Sequence, residues 1–220
     1  RFFDTKLPID YIMEEFIDAE VNSYDAIVNS NGEPIFESGN VTPRSIMDVV
    51  NNNDESLFYI VNEPFKDVKK LGRKVLKAYG VKSRFVHFEF FRLLSDQHIG
   101  KKGEVVALEV NMRPAGGVCP DMLDYANSTD VYKIWADMIA WDRTELDTGE
   151  KFYCAFLGRR DGKNYVLSDD ALKAKYRDSM RMTGRTAPAL SGAMGNAMFI
   201  ANFETKAQLD AFYADAIAKN

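Results

Sequence analysis

The sequence predicts an α+β fold: a mixed, mainly antiparallel sheet flanked by helices, followed by a small α+β subdomain at the C-terminal end. Three observations lead there. Two runs rich in β-branched and aromatic residues, Arg84 to Leu93 and the stretch from Gly103 to Gly117, are separated by turn-forming residues, the pattern of an antiparallel pair. Apolar residues at helical spacing recur at Val68, Leu71, Val75, Leu76 and Tyr79, and again at Val131, Ile134, Trp135, Met138 and Ile139. A polar stretch from Asp142 to Glu150 then reads as a linker, dividing residues 1–142 from a tail, 143–220.

In order, Tyr11 to Ile17 reads as a buried strand, Asp18-Ala19-Glu20 as a bend and Val21 to Asn29 as the return strand. Asn31-Gly32 is a hairpin turn leading to Pro34–Glu37. Thr42-Pro43 opens a short helix through Val50, and the polar Asn51–Asp54 closes it. Leu57 to Val61 is an apolar strand. Pro64 suits a first helical position, Gly80 stops that helix, and Lys66, Lys69, Lys70, Lys74 and Lys77 form its solvated face. Pro120 to Asn127 suggests a short helix, and Ser128-Thr129-Asp130 caps Val131 to Trp141. In the tail, Lys151–Leu157 and Lys163–Leu167 read as a hairpin, Asp169 to Met182 as a helix and Gly184 to Asn196 as a loop. Ala197–Phe203 is a strand, and a last helix from Thr205 to about Ala218 buries Leu209, Phe212, Tyr213, Ala216 and Ile217.

Composition excludes several functions. The chain has 220 residues, 46% hydrophobic and 28% charged, with a formal net charge of −5. That balance gives no electrostatic case for nucleic acid, and no basic run suits a membrane surface. No apolar stretch approaches the ~20 residues of a membrane-spanning helix, and no signal peptide is visible. Two cysteines and two histidines show no zinc spacing, so a cytoplasmic protein with free thiols is expected. The first residue is Arg and structure is expected almost at once, which suggests a piece of a longer protein.

The chemistry concentrates on the paired strands. With a side-chain period of two, Val105, Ala107, Glu109, Asn111 and Arg113 share one face, as do Phe85, His87, Glu89 and Phe91. Pairing Leu93 with Val105 sets Glu89 opposite Glu109 and His87 opposite Asn111. Opposed Cβ atoms lie about 5 Å apart, and at an effective dielectric near 20 two carboxylates there repel by roughly 3 kcal/mol. A shared proton, a lysine or a bound cation would offset this, and the nearby amide oxygen favours a hard cation such as Mg²⁺. Arg113 offers a planar fork for phosphate or carboxylate, and Ala115-Gly116-Gly117 brings backbone N–H groups close to an anion. Periodicity alone leaves a solvated polar face equally open.

Glu89, followed by Glu109-Val110-Asn111-Met112-Arg113-Pro114-Ala115-Gly116-Gly117, resembles the metal-binding signature of the ATP-grasp ligases. The resemblance implies that Glu89, Glu109 and Asn111 hold Mg²⁺, two ions with Mn²⁺ as a substitute, on the phosphates of ATP. It implies a catalytic role for Arg113 at the reacting phosphate or acid. The run from Met13 to Asp25 resembles the family's adenine segment, with Ala19 where a glycine is common. Glu14 would then accept from the adenine amino group, the backbone of Glu15 and Ile17 would pair with the adenine edge, and Glu20 would lie near ribose or substrate. The likeness spans Tyr11 to Trp141 and corresponds to the second lobe of the ATP-binding fold. The first lobe, with its phosphate-binding lysines, has no counterpart, so little catalysis is expected from these residues alone. The Arg-x-x-Gly-Gly form is similar to the amino-acid and dipeptide ligases, which join a small-molecule carboxylate to an amine through an acylphosphate and in some cases as homodimers. A bicarbonate-using relative of biotin carboxylase or carbamoyl-phosphate synthase, or a non-catalytic nucleotide-binding module, is the alternative.

Overall fold

A computed structural model describes residues 12–220. Among these, nine strands form one sheet in which every pairing is antiparallel. The elements run β1 (Ala19–Val28), β2 (Pro34–Ser38), β3 (Asn40–Thr42), α1 (Ile46–Asn51), β4 (Ser56–Ile60), α2 (Lys66–Ala78), β5 (Arg84–Leu93) and β6 (Val105–Asn111). They continue with α3 (Cys119–Asn127), α4 (Val131–Trp141), β7 (Tyr153–Arg159), α5 (Asp169–Lys175), β8 (Met180–Arg185), α6 (Ser191–Met194), β9 (Ala197–Phe203) and α7 (Lys206–Ile217). Across the sheet the order is β6-β5-β1-β3-β4-β7-β9-β8, with β2 also on β1. The sheet is therefore α+β as expected, and wholly antiparallel rather than mixed. It also runs through the 142/143 boundary, because β7 pairs with β4 along five residue pairs.

Apolar side chains alternate along the strands and build cores on both faces. On one face, α3 and α4 pack Met122, Leu123, Ile134 and Met138 on Ile27, Phe85, Phe58 and Phe156. On the other, α2 covers Tyr24, Ala26, Val86, Phe88 and Phe90, while α5 and α7 cover Tyr59, Ala155, Leu157 and Phe199. Two of the glycines at close approaches lie against β1. A Cβ at Gly72 of α2 would lie 2.2 Å from the Tyr24 ring, and one at Gly39 would lie 2.6 Å from the Ser23 carbonyl. Gly39 separates β2 from β3, which meet successive stretches of the same edge of β1.

Several expectations change. Tyr11 lies outside the described residues, and Ile12 to Asp18 form no strand; Phe16 is 80% exposed. Ser45, not Thr42, caps α1 by accepting from the Met47 N–H at 3.2 Å, because Thr42 is taken up in β3. Helix α2 starts at Lys66, after Pro64. Its lysines are not all solvated, since Lys69 and Arg73 clasp Glu37 at 2.7 and 2.6 Å. Ile139 is exposed on α4. In the tail, Lys163–Leu167 forms no strand, and Arg159 of β7 binds the Leu167 carbonyl with its guanidinium instead. The helix expected through Met182 stops at Lys175, and β8 follows as an edge strand on β9.

Candidate functional site

The site grows from the register of β5 on β6. His87 pairs with Asn111, Phe88 with Val110 and Glu89 with Glu109, so the two carboxylates face each other as the sequence implied. Beyond them the register slips: Phe90 meets Ala107 and Arg92 meets Val105, leaving Leu108 as the extra residue of a β-bulge. The bulge reverses parity. Val105 joins Val110 against the α2 core, so Val105 and Ala107 do not share the face of Glu109 and Asn111. Leu93 and Val105 are accordingly not partners. β6 ends at Asn111, and Arg113 lies in the bend beyond it, exposed, with Nη1 donating to its neighbour's Pro114 carbonyl at 2.9 Å. Gly116 and Gly117 lead into α3 and are exposed.

The same face carries residues that sequence reasoning left without a role. Asp25 of β1 pairs with His87, and Ser23 pairs with Glu89. His87 Nδ1 lies 2.7 Å from Asp25 Oδ1, and its Nε2 lies 3.0 Å from Glu89 Oε1. The Ser23 hydroxyl donates to the other oxygen of Asp25. Burial works against a charge on His87, yet the two carboxylates prevail and raise its pKa to about 10. An imidazolium is thus one offset to the opposed acids. The signal was present in the sequence, since His87 precedes Glu89 by two residues and so shares its face. Cys119, at the start of α3, closes this side; burial and then Asp25, Glu89 and Asp121 push its thiol up to about 12. Glu109 is open to solvent.

Adjoining these acids on the same face is a cleft of about 910 Å³. Glu14, Glu15 and Ile17 line it together with Val21, Phe91 and Leu108, and α1 closes its far side. Val21 and Phe91 are a cross-strand pair two residues from Ser23 and Glu89, so the cleft lies next along the strands from the carboxylates, which do not themselves line it. The expected adenine segment is therefore a cleft wall, which explains an apolar run that is neither a strand nor buried. Glu20 is placed elsewhere. Its strand parity turns it to the α2 face, where it accepts from Asn22 at 3.1 Å and lies 3.8 Å from Arg92. Arg92 in turn clasps Asp67 of α2 at 2.7 Å.

The donor set fits a hard divalent cation. Two carboxylates face each other, and the Asn111 side chain on their face carries an amide oxygen, the ligand type such an ion takes. Among the described residues no three acidic, histidine or cysteine side chains converge as a metal site, so an ion here would depend on waters and on ligand phosphates.

No protein-family model matches the sequence, and no curated protein matches it. Solved structures do match in shape. The L-amino acid ligase from Bacillus licheniformis superposes with a TM-score of 0.63 at 13% identity, over 93% of this chain and 53% of that one. The N5-carboxyaminoimidazole synthetase from Staphylococcus aureus gives 0.58 at 9% identity, over 93% of this chain and 51% of that one. The biotin carboxylase domain of Hydrogenobacter thermophilus 2-oxoglutarate carboxylase, solved with MgADP and bicarbonate, gives 0.53 at 12% identity over 87% and 43%. The chain thus spans about half the length of the structures it matches, and a match over 93% of this chain extends well past Trp141 into the tail. Among the described residues no helix is long and apolar enough to cross a membrane. The fold of this chain is the ATP-grasp fold.

Proposed function

We propose that these residues form the metal- and phosphate-holding half of an ATP-dependent ligase that joins a carboxylate to an amine. The observation that carries this is the opposition of Glu89 and Glu109, with Asn111 on their face, beside the 910 Å³ cleft lined by Val21, Phe91 and Leu108. Glu14, Glu15 and Ile17 line the part of the cleft that an adenine would occupy. Mg²⁺, when bound between Glu89, Glu109 and Asn111, would neutralise charge on the phosphates. Arg113 is exposed and, among the described residues, hydrogen-bonds only the Pro114 carbonyl, so its fork can turn onto the reacting phosphate or carboxylate. In this scheme the acid takes the terminal phosphoryl group of ATP, and the amine attacks the resulting acylphosphate, releasing phosphate. No protein nucleophile is required. The opposite wall of the nucleotide pocket would come from outside these 220 residues, in keeping with the half-length match, and the working enzyme would be cytoplasmic.

Bicarbonate is the competing acid, because one structure of this shape carries MgADP and bicarbonate. Phosphate release by the intact gene product separates the two, with paired amino acids in one arm and bicarbonate with biotin in the other. Turnover with amino acids is expected; turnover with bicarbonate alone would overturn the ligase assignment.

A further inference from the structure

The histidine between the carboxylates has a partner at each nitrogen. Nδ1 lies 2.7 Å from Asp25 Oδ1 and Nε2 lies 3.0 Å from Glu89 Oε1, and a carboxylate oxygen is an acceptor for the ring N–H that faces it. Behind Asp25 the Ser23 hydroxyl donates to the second oxygen, and Ser23 Oγ accepts the Asn40 N–H at 2.9 Å. This chain of hydrogen bonds begins in the backbone beside Gly39, where β2 gives way to β3. It stays buried through Ser23 (2% exposed), Asp25 (1%) and His87 (7%). It surfaces only at Glu89, whose side chain is 28% exposed.

The bond takes Oε1 of Glu89 and leaves Oε2 for another partner. We infer that His87 is a positioning residue: by engaging Oε1 it fixes the Glu89 carboxylate and leaves Oε2 for a hard divalent cation that Glu89 and Glu109 would hold. This rests on the metal reading above. Partners that orient a metal ligand typically change affinity by about 10–100-fold when lost.

The test is a Mn²⁺ titration of the chain followed by electron paramagnetic resonance, with thermal melts alongside. His87→Gln places an amide N–H near the position of Nε2, whereas His87→Asn is too short to reach Glu89. Both variants lose the imidazolium, so charge is common to them. The expected result is that His87→Asn binds Mn²⁺ at least tenfold more weakly than His87→Gln, with similar melting temperatures. Equal affinities in the two variants would overturn the inference. Should His87→Asn fail to fold, His87→Gln carries the test against wild type, and a loss beyond threefold would overturn it. Glu109→Gln distinguishes the two levels. Equal Mn²⁺ binding by wild type and Glu109→Gln overturns the metal reading and this inference with it. Weakened binding in Glu109→Gln without any difference between the His87 variants overturns the inference alone.

Discussion

Substituting Gly72→Ala sets two effects of opposite sign against each other. In an exposed helix interior the change stabilises by about 1 kcal/mol, because alanine loses less backbone entropy on folding. In α2 the new methyl would stand 2.2 Å from Cγ and 2.4 Å from Cδ1 of Tyr24. Carbon atoms settle at about 3.5–4.0 Å, so helix or ring must move by more than ~1 Å. Tyr24 cannot retreat easily: it is fully buried, its hydroxyl donates to Glu37 at 2.7 Å, and Phe88 packs beside it. Lifting α2 instead would expose Val68 and Leu76 and strain the ties from Lys69 and Arg73 to Glu37. Overpacking of a closed core costs about 1–3 kcal/mol, with the high end expected where neither side can yield. The clash should win by about 1–2 kcal/mol. For a domain of this size that lowers the melting temperature by roughly 2–8 °C. Differential scanning calorimetry with urea titration measures it. An unchanged or raised melting temperature would show that α2 does not sit on the Tyr24 ring as described.

Glu55, 3% exposed, gives an acid-side prediction. Burial raises its pKa, but the Tyr165 hydroxyl, Lys163 and Lys219 outweigh it and bring the group down to about 2. Its stabilisation is present above the unfolded value near 4.3 and lost as pH falls from there through 2, up to roughly 3 kcal/mol; Glu55→Gln should flatten urea-derived stability between pH 4.5 and 2.5. Asp124 behaves oppositely, because burial, despite the Val131 N–H, and then Asp130 and Asp121 raise it to about 6. Its ionisation costs stability as pH rises through 6, so Asp124→Asn should gain on wild type between pH 4 and 7 and plateau above, read from melts across that range. Glu109→Gln should leave the melting temperature within about 2 °C of wild type or slightly above, since Glu109 is exposed and its neutralisation relieves repulsion; a large fall would make Glu109 structural.

Much of this was legible where local chemistry decides structure. Arg84–Leu93 and Ala197–Phe203 are strands at the expected residues, and Asp130 caps Val131–Trp141 as expected, accepting the Lys133 N–H. The opposition of Glu89 and Glu109 was expected from a Leu93–Val105 pairing that does not form; it holds because the bulge at Leu108 takes up the slip, and one extra residue leaves no mark in a two-residue period. The strand expected over Tyr11–Ile17 is absent from its described part, Ile12–Ile17, where Glu14 to Ile17 line the cleft and the composition resembles that of a buried strand. β8 was missed because an edge strand such as Met180–Arg185, mostly exposed, needs no apolar run. His87 went unassigned because its importance lies in Asp25, 62 residues earlier and brought alongside by the β1–β5 pairing.

The claim that Glu89, Glu109 and Asn111 form a cation site is tested most directly by anomalous diffraction from crystals of the chain soaked with Mn²⁺ and ATP. The expected result is a manganese peak between the Glu89 and Glu109 carboxylates, with the phosphates of ATP beside it and the adenine toward Glu14 and Ile17. A peak elsewhere, with none on that face of β5 and β6, would contradict it.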